Sequence, residues 1–306
     1  MLQLNKSFLQ EVTDSLLSDK EVRLFVKRDD LIHPYVSGNK WRKLKYNIEA
    51  FLQSGKESIL TFGGAYSNHI IATSAAGKEF GIKTIGIIRG EELTGNSNAV
   101  LRFAKECGME LIFISRDEYK KLHTPGGIES FANSKLQTPN SKPYILPEGG
   151  FNELAVKGCE EIVDEINMPF DYICCACGTG ATLSGIARKL KSNQSRNERD
   201  PSFGAHAIGF SVLQGENFLE KQVSEFAGNN NNWTVNFDYQ FGGYAKATDQ
   251  LKEFCNGFSE RNDILIEPVY TGKMFYGIYD LLKNDFFKPG STIIAVHAGG
   301  TTFTAQ

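Results

Sequence analysis

The sequence predicts an α/β protein with two open, mostly parallel sheets and helices on both faces. Apolar runs of strand length alternate with stretches of helical period along nearly all of its 306 residues, and such alternation builds parallel sheets covered on both sides. The alternation comes in two sets, parted by a Gly- and Pro-rich section ending at Pro147-Glu-Gly-Gly150. Two lobes with a cleft between them follow as the expectation. Residues 1–43 and 151–306 form the larger lobe and residues 44–150 the smaller.

Each element has its own signal. Trp41, Leu44, Ile48, Phe51 and Leu52 recur at helical spacing, and Gly55 stops the run. Ser58–Phe62 is short and apolar, as a buried strand is. Ser67–Phe80 then predicts a helix, Lys83–Ile88 a strand, Asn96–Cys107 a helix and Met109–Ile114 a strand. From His123 to Lys142 the chain holds Pro125, Gly126, Gly127 and Pro139 and predicts irregular structure. Helix Asn152–Ile166, strand Tyr172–Cys177, a Gly-rich turn and a helix to Leu190 follow. Later strands are predicted near Ala205–Phe210, Thr234–Tyr239, Ile264–Ile266 and Thr292–Val296.

Composition narrows the function classes. A formal net charge of −3 argues against a general nucleic-acid binder. The first ten residues lack the apolar core of a signal peptide, and no apolar run approaches membrane-spanning length. A cytoplasmic protein with no nucleic-acid or membrane partner is expected. Cys174, Cys175 and Cys177 crowd together, while Cys107, Cys159 and Cys255 are scattered. A zinc site needs a second cluster or a His pair at ligand spacing, so these read as buried thiols with no metal role.

Lys40 is the most informative single residue. It sits in Val36-Ser-Gly-Asn-Lys-Trp-Arg-Lys-Leu44, where a Gly-containing turn passes into a helix. A helix start favours anions, and a lysine desolvated or set beside other cations can form Schiff bases. Read alone, it is a solvated lysine at a helix start. Its company alters that reading. Cys177-Gly-Thr-Gly-Ala-Thr182 joins a strand to a helix, so glycines, free amides and the Thr179 and Thr182 hydroxyls make a phosphate cradle. It matches neither GxxxxGKS/T nor GxGxxG, which favours a phosphomonoester over a nucleotide.

Three further turns share that placement: Gly63-Gly-Ala-Tyr-Ser-Asn-His69, Pro268-Val-Tyr-Thr-Gly-Lys273 and Val296-His-Ala-Gly-Gly-Thr-Thr302. Taken singly, Ser67 or Asn68 is a helix cap and Tyr270 a core residue. Ligands of open α/β sheets bind at the carboxyl ends of the strands, where these turns are predicted. A Schiff-base lysine, a phosphate cradle and Ser and Asn donors together describe a pyridoxal phosphate site.

These motifs resemble those of the tryptophan-synthase-β-like, fold type II pyridoxal phosphate enzymes. Within them the chain is similar to the 1-aminocyclopropane-1-carboxylate (ACC) deaminase and D-cysteine desulfhydrase family. Ser37–Tyr46 matches a GGNKxRKLEY-like segment, Tyr66–His69 a QSNH-like one, and Val269–Lys273 a VYTGK-like or VYEGK-like turn. Val296–Thr302 is similar to a near-terminal HTGG-like segment, with Ala298 where the family usually has threonine. The resemblance runs from about residue 20 to residue 302.

The resemblance implies roles position by position, with the active site in the interdomain cleft. Lys40 matches the lysine that carries the cofactor and moves the substrate's α-proton. Asn68 matches the partner of the cofactor's phenolic oxygen, and Ser67 the serine near the substrate carboxylate. Residues Cys177, Gly178, Thr179, Gly180, Ala181 and Thr182 match the phosphate loop. Tyr270 and Tyr244 match the two active-site tyrosines, although Phe241-Gly-Gly-Tyr-Ala245 departs from the usual GYGxP.

Thr271 divides the family. A glutamate there keeps the pyridine nitrogen protonated and deepens the electron sink that opens a cyclopropane. A threonine suits departure of a good leaving group. The expected activity is D-cysteine desulfhydrase-like β-elimination giving a 2-oxo acid, ammonia and sulfide. ACC deamination, another pyridoxal phosphate reaction such as racemisation or serine dehydration, and a non-catalytic binding protein of the same fold are the alternatives. The family also implies a homodimer.

Overall fold

The computed structural model describes residues 3–135, 142–194, 200–215 and 218–300. Along the chain the elements are β1 (Leu9–Val12), α1 (Ser15–Asp19), β2 (Arg23–Lys27), α2 (Asn39–Gln53), β3 (Ser58–Gly64), α3 (Asn68–Phe80), β4 (Lys83–Arg89) and α4 (Ala99–Glu106). There follow β5 (Glu110–Ile114), α5 (Arg116–Leu122), α6 (Gly127–Lys135), β6 (Tyr144–Ile145), α7 (Glu153–Asp164), β7 (Tyr172–Cys177) and α8 (Ala181–Gln194). The last are β8 (His206–Ser211), α9 (Phe218–Ala227), β9 (Trp233–Asn236), α10 (Asp249–Asn262), α11 (Thr271–Lys283) and β10 (Thr292–Val296). The chain divides into two compact units, Met1–Leu4 with Leu44–Phe151, and Asn5–Lys43 with Asn152–Gln306.

The smaller unit holds a parallel sheet in the order β5-β4-β3-β6. On one face Leu60, Phe62, Ile85 and Ile87 pack against Tyr119 and Leu122 of α5 and Phe131 of α6. Another cluster joins Ile88 to Ile70 of α3 and to Leu101 and Ala104 of α4. Helices thus cover both faces, as the alternating sequence predicts.

The larger unit holds a sheet in the order β1-β2-β10-β7-β8-β9. Only β1, at the edge, runs antiparallel to its neighbour. Successive residues of a strand point to opposite faces, and here both faces are buried. Cys174, Ala176, Ile208, Phe210, Ile293 and Ala295 join the core under α10 and α11. Cys175, Cys177, Ala207, Ile294 and Val296 join the core under α7, α8 and α9. The Cys174–Cys177 run therefore packs as small apolar residues do, split between two cores.

Three expectations need correction. Ile264–Ile266 is not a strand: Ile266 N donates to Ser259 Oγ at 3.1 Å, and Leu265 O binds His297 Nε2 at 2.7 Å. Side chains take the bonds that a ladder would need. The stretch from His123 contains α6, which starts directly after the Pro125-Gly126 turn. Strands β1, β2 and β6 and helices α1 and α5 were not anticipated. Thr301 and Thr302 of the near-terminal motif lie outside the described residues.

Candidate active site

Lys40 is the second residue of α2, and the turn before it is tightly specified. Gly38 has φ of 58°, and a Cβ there would overlap the Ala298 carbonyl, so only glycine suits this position. Two residues on, Arg42 anchors the helix start. Its Nε and Nη2 donate to Asp29 at 2.7 and 2.9 Å, and its Nη1 and Nη2 donate to Glu165 at 2.7 and 2.8 Å. Lys27 Nζ reaches both acids as well, at 3.1 and 2.6 Å. Burial would raise the Asp29 carboxyl, but Arg42 and Lys27 hold it below the ordinary carboxylate range. Gly158 of α7 lets the Arg42 carbonyl approach where any Cβ would collide.

The lysine amine is tied to the Gly-rich loop through its neighbour. Lys40 Nζ donates to Asn39 Oδ1 at 2.5 Å, and Asn39 Nδ2 donates to Thr182 Oγ1 at 2.9 Å. Burial, followed by the nearby Lys43 cation, lowers the Lys40 amine to about 7. Glu267 works against that shift. Lys43 is lowered for the same first reason, burial, among Cys159, Cys177 and Cys175. Around pH 7 the Lys40 amine is thus shared between its protonated and neutral forms, and the neutral form can act as base or nucleophile.

The loop itself runs from the end of β7 into α8. Gly180 has φ of 85°, a conformation that glycine adopts at little cost. Thr179 Oγ1 is buried and has no hydrogen-bond partner among the described residues. A buried unpaired hydroxyl is costly unless a ligand completes it. Cys177 turns its thiol into the core near Cys175, so only its backbone can serve the loop. An added Cβ at Gly178 would come within 3.5 Å of the Tyr270 ring, which sets that phenol beside the loop.

Tyr270 is fixed by an acid that immediately precedes the Pro268–Lys273 motif. Glu267, buried, accepts from Val269 N at 2.6 Å, Tyr270 N at 3.0 Å and Thr271 N at 2.8 Å. The Thr271 hydroxyl donates to the same carboxylate at 3.1 Å. Burial raises the Glu267 carboxyl, and these amides oppose the rise. Three free amides at a helix start suit an anion, and here the chain supplies its own. Tyr244 stacks edge-on against Tyr270 with ring centroids 5.8 Å apart.

The larger unit therefore brings together Lys40, the 177–182 loop, Tyr270, Thr271 and Tyr244. Ser67 and Asn68 belong to the smaller unit, at the junction of β3 and α3. Ser67 caps α3 by accepting from Ile70 N, and Asn68 is the helix's first residue. Asn39 and Glu267 join the site without being sequence candidates. Asn39 stands inside a motif, and an acid four residues before a helix start is the available signal for Glu267.

Comparison with known proteins gives the family. The model of the pyridoxal-phosphate dependent enzymes matches residues 13–299. A Pyrococcus horikoshii protein named "Putative 1-aminocyclopropane-1-carboxylate deaminase" is 31% identical over 288 residues, covering 92% of this chain and 85% of that protein. The Arabidopsis thaliana mitochondrial bifunctional D-cysteine desulfhydrase/1-aminocyclopropane-1-carboxylate deaminase is 29% identical over 300 residues, with 90% and 72% covered. A crystal structure of an ACC deaminase homologue superposes with a TM-score of 0.80 at 27% identity, covering 99% of this chain and 92% of that one. The chain belongs to the pyridoxal-phosphate dependent enzymes of fold type II, in the family of ACC deaminases and D-cysteine desulfhydrases.

Proposed function

We propose that the protein converts D-cysteine and water to pyruvate, ammonia and hydrogen sulfide by β-elimination. The carrying observation is the chain of bonds from the Lys40 amine through Asn39 to Thr182, which links a base lowered to about 7 with a phosphate-type loop.

The residues fit pyridoxal phosphate. Thr179 Oγ1 lacks a partner that a phosphate oxygen can supply, and the α8 start adds outward amides. Residues 177–182 in the larger unit would hold that phosphate, with Lys40 as the covalent attachment. From the family resemblance we carry over Asn68 to the cofactor's phenolic oxygen and Ser67 to the substrate carboxylate. Bound there, the cofactor supplies an electron sink for the charge left when the substrate's α-carbon loses its proton.

Lys40 Nζ takes that proton, and its lowered pKa keeps it a competent acceptor near neutral pH. Tyr270, beside Gly178, and Tyr244, edge-on to Tyr270, are assigned to the departing sulfur, to which either can donate a proton. Thr271 supports β-elimination over ring opening, because the hydroxyl at that position brings no negative charge to the ring nitrogen. The six free thiols are consistent with a cytoplasmic enzyme.

ACC cleavage is the second reading, favoured by the names of the similar proteins. Assaying pure holoenzyme for sulfide from D-cysteine and for 2-oxobutanoate from ACC separates the two. Sulfide release should dominate and vanish in Lys40→Ala, along with the borohydride-reducible attachment of cofactor. Dominant 2-oxobutanoate release would reverse the substrate assignment, and a reducible adduct surviving in Lys40→Ala would reassign the lysine.

A further inference from the structure

Tyr244 sits on a segment whose backbone is far from relaxed. Phe241, Gly242, Gly243 and Ala245 have φ of 49°, 86°, 105° and 56°. For Phe241 and Ala245 the Cβ opposes that region, so it persists only where the surroundings over-determine it. Two successive turns share Gly243: its N–H donates to Gln240 O at 2.9 Å, and Lys246 N donates to Gly243 O at 3.2 Å.

The over-determination comes from α11. Lys273, wholly buried, donates from Nζ to Gln240 O and to Gly243 O, each at 2.7 Å. These carbonyls are the acceptors of the two turns, so one ammonium pins both corners around Tyr244. A buried ammonium must find such partners, and its bonds are charge-assisted. Lys273 also lies one turn into the helix that Tyr270 opens. It thereby ties together the two segments whose tyrosines meet.

We propose that Lys273 is a positioning residue whose ammonium sets the 240–246 turns, holds Tyr244 against Tyr270, and so tunes which leaving group the site accepts. The inference rests on the substrate-side role given above to the tyrosine pair.

The test compares holoenzymes of Lys273→Met, Tyr244→Ala and the double variant with wild type, measuring bound cofactor, kcat and KM on D-cysteine and on ACC. Lys273→Met should keep its cofactor and lose about tenfold or more in kcat/KM on D-cysteine, as loss of charged hydrogen bonds allows. The D-cysteine to ACC ratio should move, and the double variant should be no worse than Tyr244→Ala. Additive losses, or an unchanged kcat/KM in Lys273→Met, would overturn the proposal. A measurement on wild-type holoenzyme needs no variant. The Gly243 and Lys246 amides should resist hydrogen exchange as well as the first intrahelical amides of α11 do. Exchange at open-loop rates would sink the clamp whether or not Lys273→Met folds. A wild type inactive on both amino acids would remove the substrate assignment and leave the exchange result to judge the clamp.

Discussion

At residue scale, Lys40 and Thr271 decide the chemistry. Burial and Lys43 put the Lys40 amine at about 7, so only below that pH is it mostly protonated and unable to attack. Cofactor capture by stripped protein should speed up as pH rises through about 7 and level off above it. A stopped-flow absorbance series from pH 5.5 to 9 measures this; a rate independent of pH would mean that Lys40 is not the limiting ionisation. The Thr271 hydroxyl donates a hydrogen bond to Glu267. A glutamate at 271 would thus meet a second buried carboxylate, and like charges disfavour joint ionisation. Thr271→Glu should raise the ratio of ACC cleavage to D-cysteine elimination, by about tenfold when combined with Glu267→Gln, equivalent to ~1.4 kcal/mol. Equal ratios in wild type and double variant would refute the division drawn at Thr271.

At element scale, the strand–turn–helix units were readable because apolar residues repeat with a clear period. Tyr172–Cys177 and Thr292–Val296 were read correctly at both ends, since they are buried on both faces. β2 was missed because it ends in Lys27, whose burial depends on Asp29 and on Glu165, far along the chain. Ile264–Ile266 misled for the opposite reason, being apolar but bonded to side chains. Among the site residues Lys40, Tyr270 and the 177–182 loop were legible as motifs, whereas Glu267 needed coordinates to reveal its three amides. Element packing yields its own prediction. Gly158 of α7 meets the Arg42 carbonyl of α2, and Gly185 of α8 meets Cys159 and the Val156 carbonyl of α7. Gly158→Ala should cost about 1–3 kcal/mol, the usual range for overpacking, and should weaken cofactor retention by shifting the first turn of α2. Denaturant melts paired with cofactor titration measure both, and a stable variant with full retention would show that α2 is not set by this crossing.

At the scale of the whole molecule, the buried charges make stability depend on pH in two windows. Asp29 and Glu165 are held below the ordinary carboxylate range despite burial, so their contribution is present above about pH 4 and is lost as acid protonates them. The basic side behaves differently. Lys40 and Lys273 are lowered by burial to about 7 and about 8, and Lys43 is lowered too. Between those values and the free lysine value of about 10.4, the unfolded chain binds more protons than the folded one, so stability rises with pH. Each lysine contributes no more than about 1.4 kcal/mol per pH unit, less where solvent reaches it. Thiols such as Cys159 and Cys175, raised by their surroundings, oppose this trend once free cysteines begin to ionise near pH 8.5. The clean window is therefore pH 7 to about 8.5. Cofactor-free protein should gain Tm across it, and Lys40→Met should be more stable at pH 7 with a shallower rise. A wild-type Tm that falls across the window, or a slope unaltered in Lys40→Met, would show that the Lys40 amine is not held at a cost in the folded state.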